Sequence, residues 1–155
     1  MSDGIIIRRV EMKDIPTIAA MEKEYFRNPW DEKGFMDALF YYPGTFFAAD
    51  LCGRIVGFVC AGIEDGGSTI YGHIMNIAVA PEFRGRGIGG RLIQRVEYEC
   101  AVLGAGGLQL EVRVSNITAQ RIYQKMGFSQ VFVIGGYYPD GEDAIIMLKS
   151  FDYCE

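Results

Sequence analysis

The chain holds one histidine, His73, and four cysteines, Cys52, Cys60, Cys100 and Cys154, with no C-x-x-C pair among them. Zinc sites draw on closely spaced cysteines and histidines, so no metal centre is expected. Thiols this scattered do not suggest a disulfide framework either; they read as reduced residues of an intracellular protein. No apolar run approaches membrane-spanning length, and the first residues lack a basic stretch leading into a long apolar one. The cytoplasm is therefore the expected location, with no membrane partner. Basic residues are also the minority: 15 lysines and arginines face 20 aspartates and glutamates. That balance argues against broad nucleic-acid binding. No linker, repeat or low-complexity segment breaks residues 1–155, so one domain is expected, large enough to bury a core without staples.

The stretch from Ile74 to Leu103 carries the most information. It begins as a strand-like apolar run to Val79, which Pro81 ends by withdrawing a ladder donor. It resumes as an amphipathic helix whose stripe is Ile88, Leu92, Val96, Cys100 and Leu103, with Ile93 beside them. Between the two lies Arg84-Gly85-Arg86-Gly87-Ile88-Gly89-Gly90. A helix start offers unpaired N–H groups and a partial positive charge. Glycines let a bulky anion approach those groups, and two arginines add fixed cations, so the loop reads as a pyrophosphate seat. Gly85, Gly87 and Gly90 also satisfy G-x-G-x-x-G, with Glu111 placed 21 residues beyond Gly90 like a ribose-binding acid. A dinucleotide fold, however, sets its first glycine directly after the strand. Here five residues separate Val79 from Gly85, and too little chain remains for the further βα units.

Elsewhere the pattern predicts a first strand at Ile5–Val10 and a helix opened by Asp14-Ile15-Pro16. A short helix should follow from Asp31, with Phe35, Leu39 and Phe40 as its apolar side. A hairpin is expected around Leu51–Arg54, then a long strand from Thr69 to Val79. After the central helix, Leu108–Val114 alternates as a strand, and Ser115-Asn116 caps a helix striped by Ala119, Ile122, Tyr123 and Met126. Two closing strands, near Phe128–Ile134 and Asp143–Leu148, flank a loop of Gly135–Gly141. The order β-α-α-β-β-β-α-β-α-β-β implies an α/β fold with a mixed sheet.

Arg84-x-x-Gly87-x-Gly89 resembles the R/Q-x-x-G-x-G/A loop of the GCN5-related N-acetyltransferases, and the element order is similar to theirs over nearly the whole chain. The resemblance implies a twisted, mostly antiparallel mixed sheet with helices on both faces and a splayed cleft for acetyl-coenzyme A. It implies that Arg84, Gly85, Arg86, Gly87, Ile88, Gly89 and Gly90 grip the pyrophosphate. The backbone of Ile77, Ala78 and Val79 would then hold pantetheine and polarise the thioester. Leu110-Glu111-Val-Arg-Val-Ser-Asn116, followed by Ala119-Gln-Arg-Ile-Tyr123, resembles the ribosomal-protein-alanine and archaeal Ard1-like N-terminal acetyltransferases. This likeness implies Glu111 as general base, Tyr123 as the acid that protonates the leaving thiolate, and Asn116 as a pantetheine ligand. Without the likeness, Glu111 is a solvated position on a half-exposed strand, and Tyr123 a core aromatic.

The same comparison implies substrate contacts from Tyr137 and Tyr138, and places Asn28-Pro29 where Ard1-like subunits carry a Pro-Glu-Asn-Tyr sequence. Asn28 is thus a substrate-side candidate whose choice of first residue does not carry over. His73 alone reads as an ordinary packed or surface residue. The expected activity is direct transfer of acetyl to the α-amine of a protein or peptide N-terminus, since no cysteine lies in the donor motif. Alternatives are acetylation of a lysine or small amine, or a coenzyme A-binding module without catalysis. The remaining partners to expect are an auxiliary subunit or a second copy.

Overall fold

The computed structural model describes residues 3–151; Cys154 lies outside them. Seven strands form one sheet in the order β1-β2-β3-β4-β5-β7-β6. They are β1 (Ile5–Arg9), β2 (Phe46–Leu51), β3 (Arg54–Asp65), β4 (Ile70–Val79), β5 (Gly107–Arg113), β6 (Ser129–Ile134) and β7 (Ala144–Ser150). Four α-helices accompany them: α1 (Ile15–Tyr25), α2 (Glu32–Tyr41), α3 (Ile88–Val102) and α4 (Ile117–Lys125). The element order is the one the sequence predicts.

Local chemistry starts the helices as expected. Pro16 sits in the first turn of α1, where its missing N–H costs nothing. Asp31 caps α2 by accepting from Gly34 N at 2.9 Å, and Asn116 Oδ1 caps α4 by accepting from Ala119 N at 3.2 Å. Such caps contribute about 0.5–2 kcal/mol each.

Successive residues of β3 show which helix covers which face. The Gly57 side faces Ile88 and Leu92 of α3, whereas Phe58 meets Phe35 of α2 edge-on at 5.5 Å. Adjacent strand residues point to opposite faces, so α3 covers one face and the α1–α2 pair the other. Phe35, Phe46 and Phe58 are fully buried at that second contact, each contributing on the order of 1.5–3 kcal/mol.

The strands are antiparallel neighbours except for β4 and β5, which run parallel and pair only at Gly72↔Leu108 and His73↔Gln109. Beyond His73 the two strands part. β4 stays paired with β3 as far as Val79, while β5 continues against β7, so the sheet opens between them. The close approach at the vertex needs a glycine. A Cβ on Gly72 would lie 2.6 Å from both Cys100 Sγ and Leu108 Cδ2.

Three apolar assignments differ from expectation. Phe40 is 79% exposed, and α2 buries Phe35 and Ala38 instead. Five residues past Phe35 is about 140° round the helix, off the buried stripe. Leu103 is exposed because α3 ends at Val102 and Gly104 turns away with φ +90°. In α4, Ile122 is half exposed while Gln120 is buried. The Gln120 amide donates to the carbonyls of Arg113 and Val114, where β5 ends, at 3.1 and 3.0 Å. A buried polar side chain must find partners, and these two carbonyls are what allow Gln120 to sit inside.

Candidate active site

The loop after β4 is built as a cradle. Gly85 and Gly87 take φ of +79° and +78°, a left-handed conformation that glycine adopts without penalty. Gly87 is the N-cap of α3, and a Cβ on Gly85, Gly87 or Gly90 would meet nothing within 4 Å. The space in front of the helix start is open. Arg84 Nε donates to Val79 O at 3.2 Å, and Arg86 reaches Glu82 O at 3.4 Å while stacking on Phe83 at 4.9 Å. These contacts tie the guanidinium groups to the rim of the loop, and each has further N–H donors to offer. The residues present fit a pyrophosphate: open backbone at a long helix's N-terminus, flanked by two cations. The parted strands supply the groove leading away from it, with Ile77, Ala78 and Val79 lacking a strand partner on the β5 side.

At the vertex of that groove, on the α1–α2 face, lies a cluster of ionisable side chains. His73 Nε2 reaches both oxygens of Glu111, at 2.7 and 2.8 Å, and Nδ1 lies 3.1 Å from Glu64 Oε1. Gln109 Nε2 is 3.5 Å from Glu111, and the Tyr137 hydroxyl faces the same carboxylate. His73 has its pKa raised, chiefly by the hydrogen bond to Glu111, against the opposing pull of burial. The histidine read as ordinary is thus a member of this cluster. Its place in Gly72-His73-Ile74-Met75, at the start of the strand feeding the glycine loop, was the available signal.

Across the groove, Arg113 joins the walls. It pairs with Asp140 and Glu142 of the β6–β7 loop at 2.9 Å each, and lies 3.4 Å from Asn28 Oδ1 in the α1–α2 segment. Its guanidinium stacks on Tyr138 at 4.0 Å, and Tyr138 packs edge-on against Tyr137 at 5.0 Å. Burial pushes the Tyr138 hydroxyl up to about 12. Asn28, Tyr137 and Tyr138 are thereby gathered by a residue that sequence reading treated only as a neighbour of Glu111. Tyr123, on α4, is held by other contacts: its ring packs on Phe128 at 5.9 Å. Burial raises its pKa, which keeps the hydroxyl protonated as an acid must be.

Behind the cluster, Glu22 of α1 is 2% exposed. Its Oε2 accepts from Trp30 N at 3.0 Å and from Asn76 Nδ2 at 2.8 Å, tying the α1–α2 segment to β4. Oε1 is buried without a partner, and burial raises the pKa of the group. An acid whose folded pKa lies above its unfolded value binds more protons folded than unfolded, so stability falls as pH rises through the gap. Glu22→Gln, which cannot ionise, should therefore gain on the wild type in thermal or urea unfolding as pH is raised from about 4.5. A difference that does not change with pH would mean that burial does not raise the Glu22 pKa in the folded chain.

Among the described residues no group of His, Cys, Asp and Glu is arranged to hold a metal ion, and no helix is long and apolar enough to cross a membrane. Residues 15–128 match the model of the acetyltransferase (GNAT) family. The chain is 35% identical to an N-alpha-acetyltransferase of Sulfurisphaera tokodaii, covering 91% of this chain and 90% of that one. It is 33% identical to the [ribosomal protein bS18]-alanine N-acetyltransferase of Salmonella typhimurium, covering 86% and 89%. The crystal structure of Ard1 from Thermoplasma volcanium superposes with a TM-score of 0.89 at 25% identity, over 97% of this chain and 99% of that one.

Proposed function

Because this chain belongs to the acetyltransferase (GNAT) family and is an N-acetyltransferase, we propose that its acceptor is the α-amino group at the end of a protein or peptide chain. The observation that carries this reading is the position of Glu111. It stands two residues past the last β4–β5 pair, at the vertex of a groove whose other end meets the glycine loop. Acetyl-coenzyme A would supply the acetyl group as a thioester. Arg84, Arg86 and the backbone from Gly85 to Gly90, Ile88 and Gly89 included, would hold its pyrophosphate. Ile77, Ala78 and Val79 would line the pantetheine arm, and Asn116, whose Oδ1 caps α4, has its amide N–H groups left to bind it.

Glu111, its carboxylate aimed by His73, draws the proton from the incoming ammonium, directly or through a water. Tyr123 holds the proton that the departing sulfur needs. Transfer is direct. Cys60 and Cys100 are buried, and burial pushes Cys100 up to about 11 and Cys60 higher still, so neither offers a thiolate. A groove bridged by Arg113 and roofed by Tyr137 and Tyr138 suits a chain end, because a strand running through would need both sides open. The two relatives, named for α-amino and alanine N-acetylation, support the same choice. The cytoplasm, where nascent chain ends are made, is the compartment this reading implies.

The test is turnover with peptides that begin with Ser, Ala or Met and carry one internal lysine, with the product read by mass spectrometry. Acetyl on the α-amine is expected. Acetyl on the lysine alone, or on neither, would refute the assignment.

A further inference from the structure

We infer that Glu64 is a positioning residue for the amine-activating pair, holding the His73 ring so that its Nε2–H is aimed at Glu111. The inference rests on the reading of Glu111 as the group that takes the substrate's proton.

The arrangement follows from the strand register. His73 is paired with Gly62 on β3 and with Gln109 on β5. Glu64 lies two residues beyond Gly62, and Glu111 two residues beyond Gln109. Residues two apart share a face, so both carboxylates flank the imidazole diagonally on the same side of the sheet, within reach of long side chains. Each ring nitrogen then meets an oxygen that can only accept while ionised: Nδ1 at 3.1 Å from Glu64, Nε2 at 2.7 Å from Glu111. Only the doubly protonated ring donates from both nitrogens.

The two carboxylates are not equivalent. Glu64 is 41% exposed and Glu111 13%, with the ring at 18% between them. Glu64 therefore grips the ring from the wetter side, and Glu111 is presented to the groove. The other groups facing the cluster are the hydroxyl of Tyr71 on Glu64, and Gln109 and the hydroxyl of Tyr137 on Glu111. None of these touches Nδ1, so Glu64 is the contact that holds the ring's orientation from that side, and its charge helps keep the ring doubly protonated so that Nε2 still donates to Glu111. Without it the ring loses one of its two anionic acceptors, gives up its second proton at lower pH and is free to turn away from Glu111.

His73 is the chain's one histidine, so its titration and tautomer can be followed by NMR without assignment. In the wild type its midpoint should lie above the ordinary value of about 6.5. In Glu64→Gln, which keeps an acceptor and removes the charge, the midpoint should fall. Glu64→Leu should lower it too, and further, because it removes the acceptor at Nδ1 as well as the charge. With peptide, Glu64→Leu should lose roughly 10–100-fold in kcat, by analogy with the loss when a metal-bound histidine is deprived of its orienting carboxylate. KM for acetyl-coenzyme A should stay unchanged, Glu64→Gln should recover part of the loss, and the pH–rate limb should move with the NMR midpoint. An unaltered midpoint in both variants would overturn the inference, as would full kcat in Glu64→Leu. The NMR measurement needs no substrate, so it separates failure of this contact from failure of the acetyl-transfer reading, which the peptide assay reports.

Discussion

Glu111→Gln should lose roughly 10²–10⁴ in kcat at neutral pH, the span attributed to a positioned general base. Glutamine keeps the shape and an acceptor for His73 Nε2–H, so the loss reports proton transfer rather than packing. The deficit should shrink as pH rises towards the α-amine's own pKa of about 8, where neutral amine forms without help. Tyr123→Phe should also be slow, but without that recovery, because high pH supplies no acid to the leaving sulfur. The measurement is a pH–rate profile of both variants with one peptide. The His73 midpoint in Glu111→Gln gives an independent check, since the hydrogen bond that His73 donates to Glu111 is the main cause of its elevation. A near wild-type rate for Glu111→Gln at neutral pH would reduce Glu111 to a polar strand residue and move the search to His73 itself.

The second large effect is expected at the phosphate seat. Reversing both cations, as Arg84→Glu with Arg86→Glu, should raise KM for acetyl-coenzyme A and leave KM for peptide little changed. One charge-assisted contact is worth about 1.5–3 kcal/mol, roughly 10–150-fold in binding, and the reversed charges add repulsion. Gly87 is a poor site for a blocking side chain because its φ of +78° would strain any other residue and disturb the start of α3. Gly90 is better. Its φ is not in the left-handed range and a Cβ there meets nothing within 4 Å. Gly90→Trp should therefore fill the cradle while the helix stays folded, as circular dichroism would show. Equal rises in both KM values for the folded variant would refute the assignment of this loop.

The glycine loop between β4 and α3 was legible in sequence because its pattern is local. A strand, a proline, closely spaced glycines and an amphipathic stripe lie in continuous order, and each acts on its immediate neighbours. The element order was legible for the same reason, through Pro16, Asp31, Asn116 and the alternation of β5. Helix ends and apolar stripes were less so. Whether Phe40 or Ala38 faces inward depends on where α2 meets Phe46 and Phe58, and α4 can bury Gln120 because its amide finds two carbonyls at the end of β5. Those are demands made by distant segments.

By itself, then, the sequence determined the fold class and the candidacy of the glycine loop, Glu111, Tyr123, Asn116 and the paired tyrosines, through short-range pattern and family likeness. Only the tertiary structure decided what stands around them. Glu64, His73 and Glu111 come from three strands, and Arg113 gathers Asn28, Asp140 and Glu142 from segments far apart in the chain. Their meeting is set by strand register and by the parting of β4 from β5 beyond His73. No residue type announces either, because register is a property of paired strands and a parting is a pairing that does not continue.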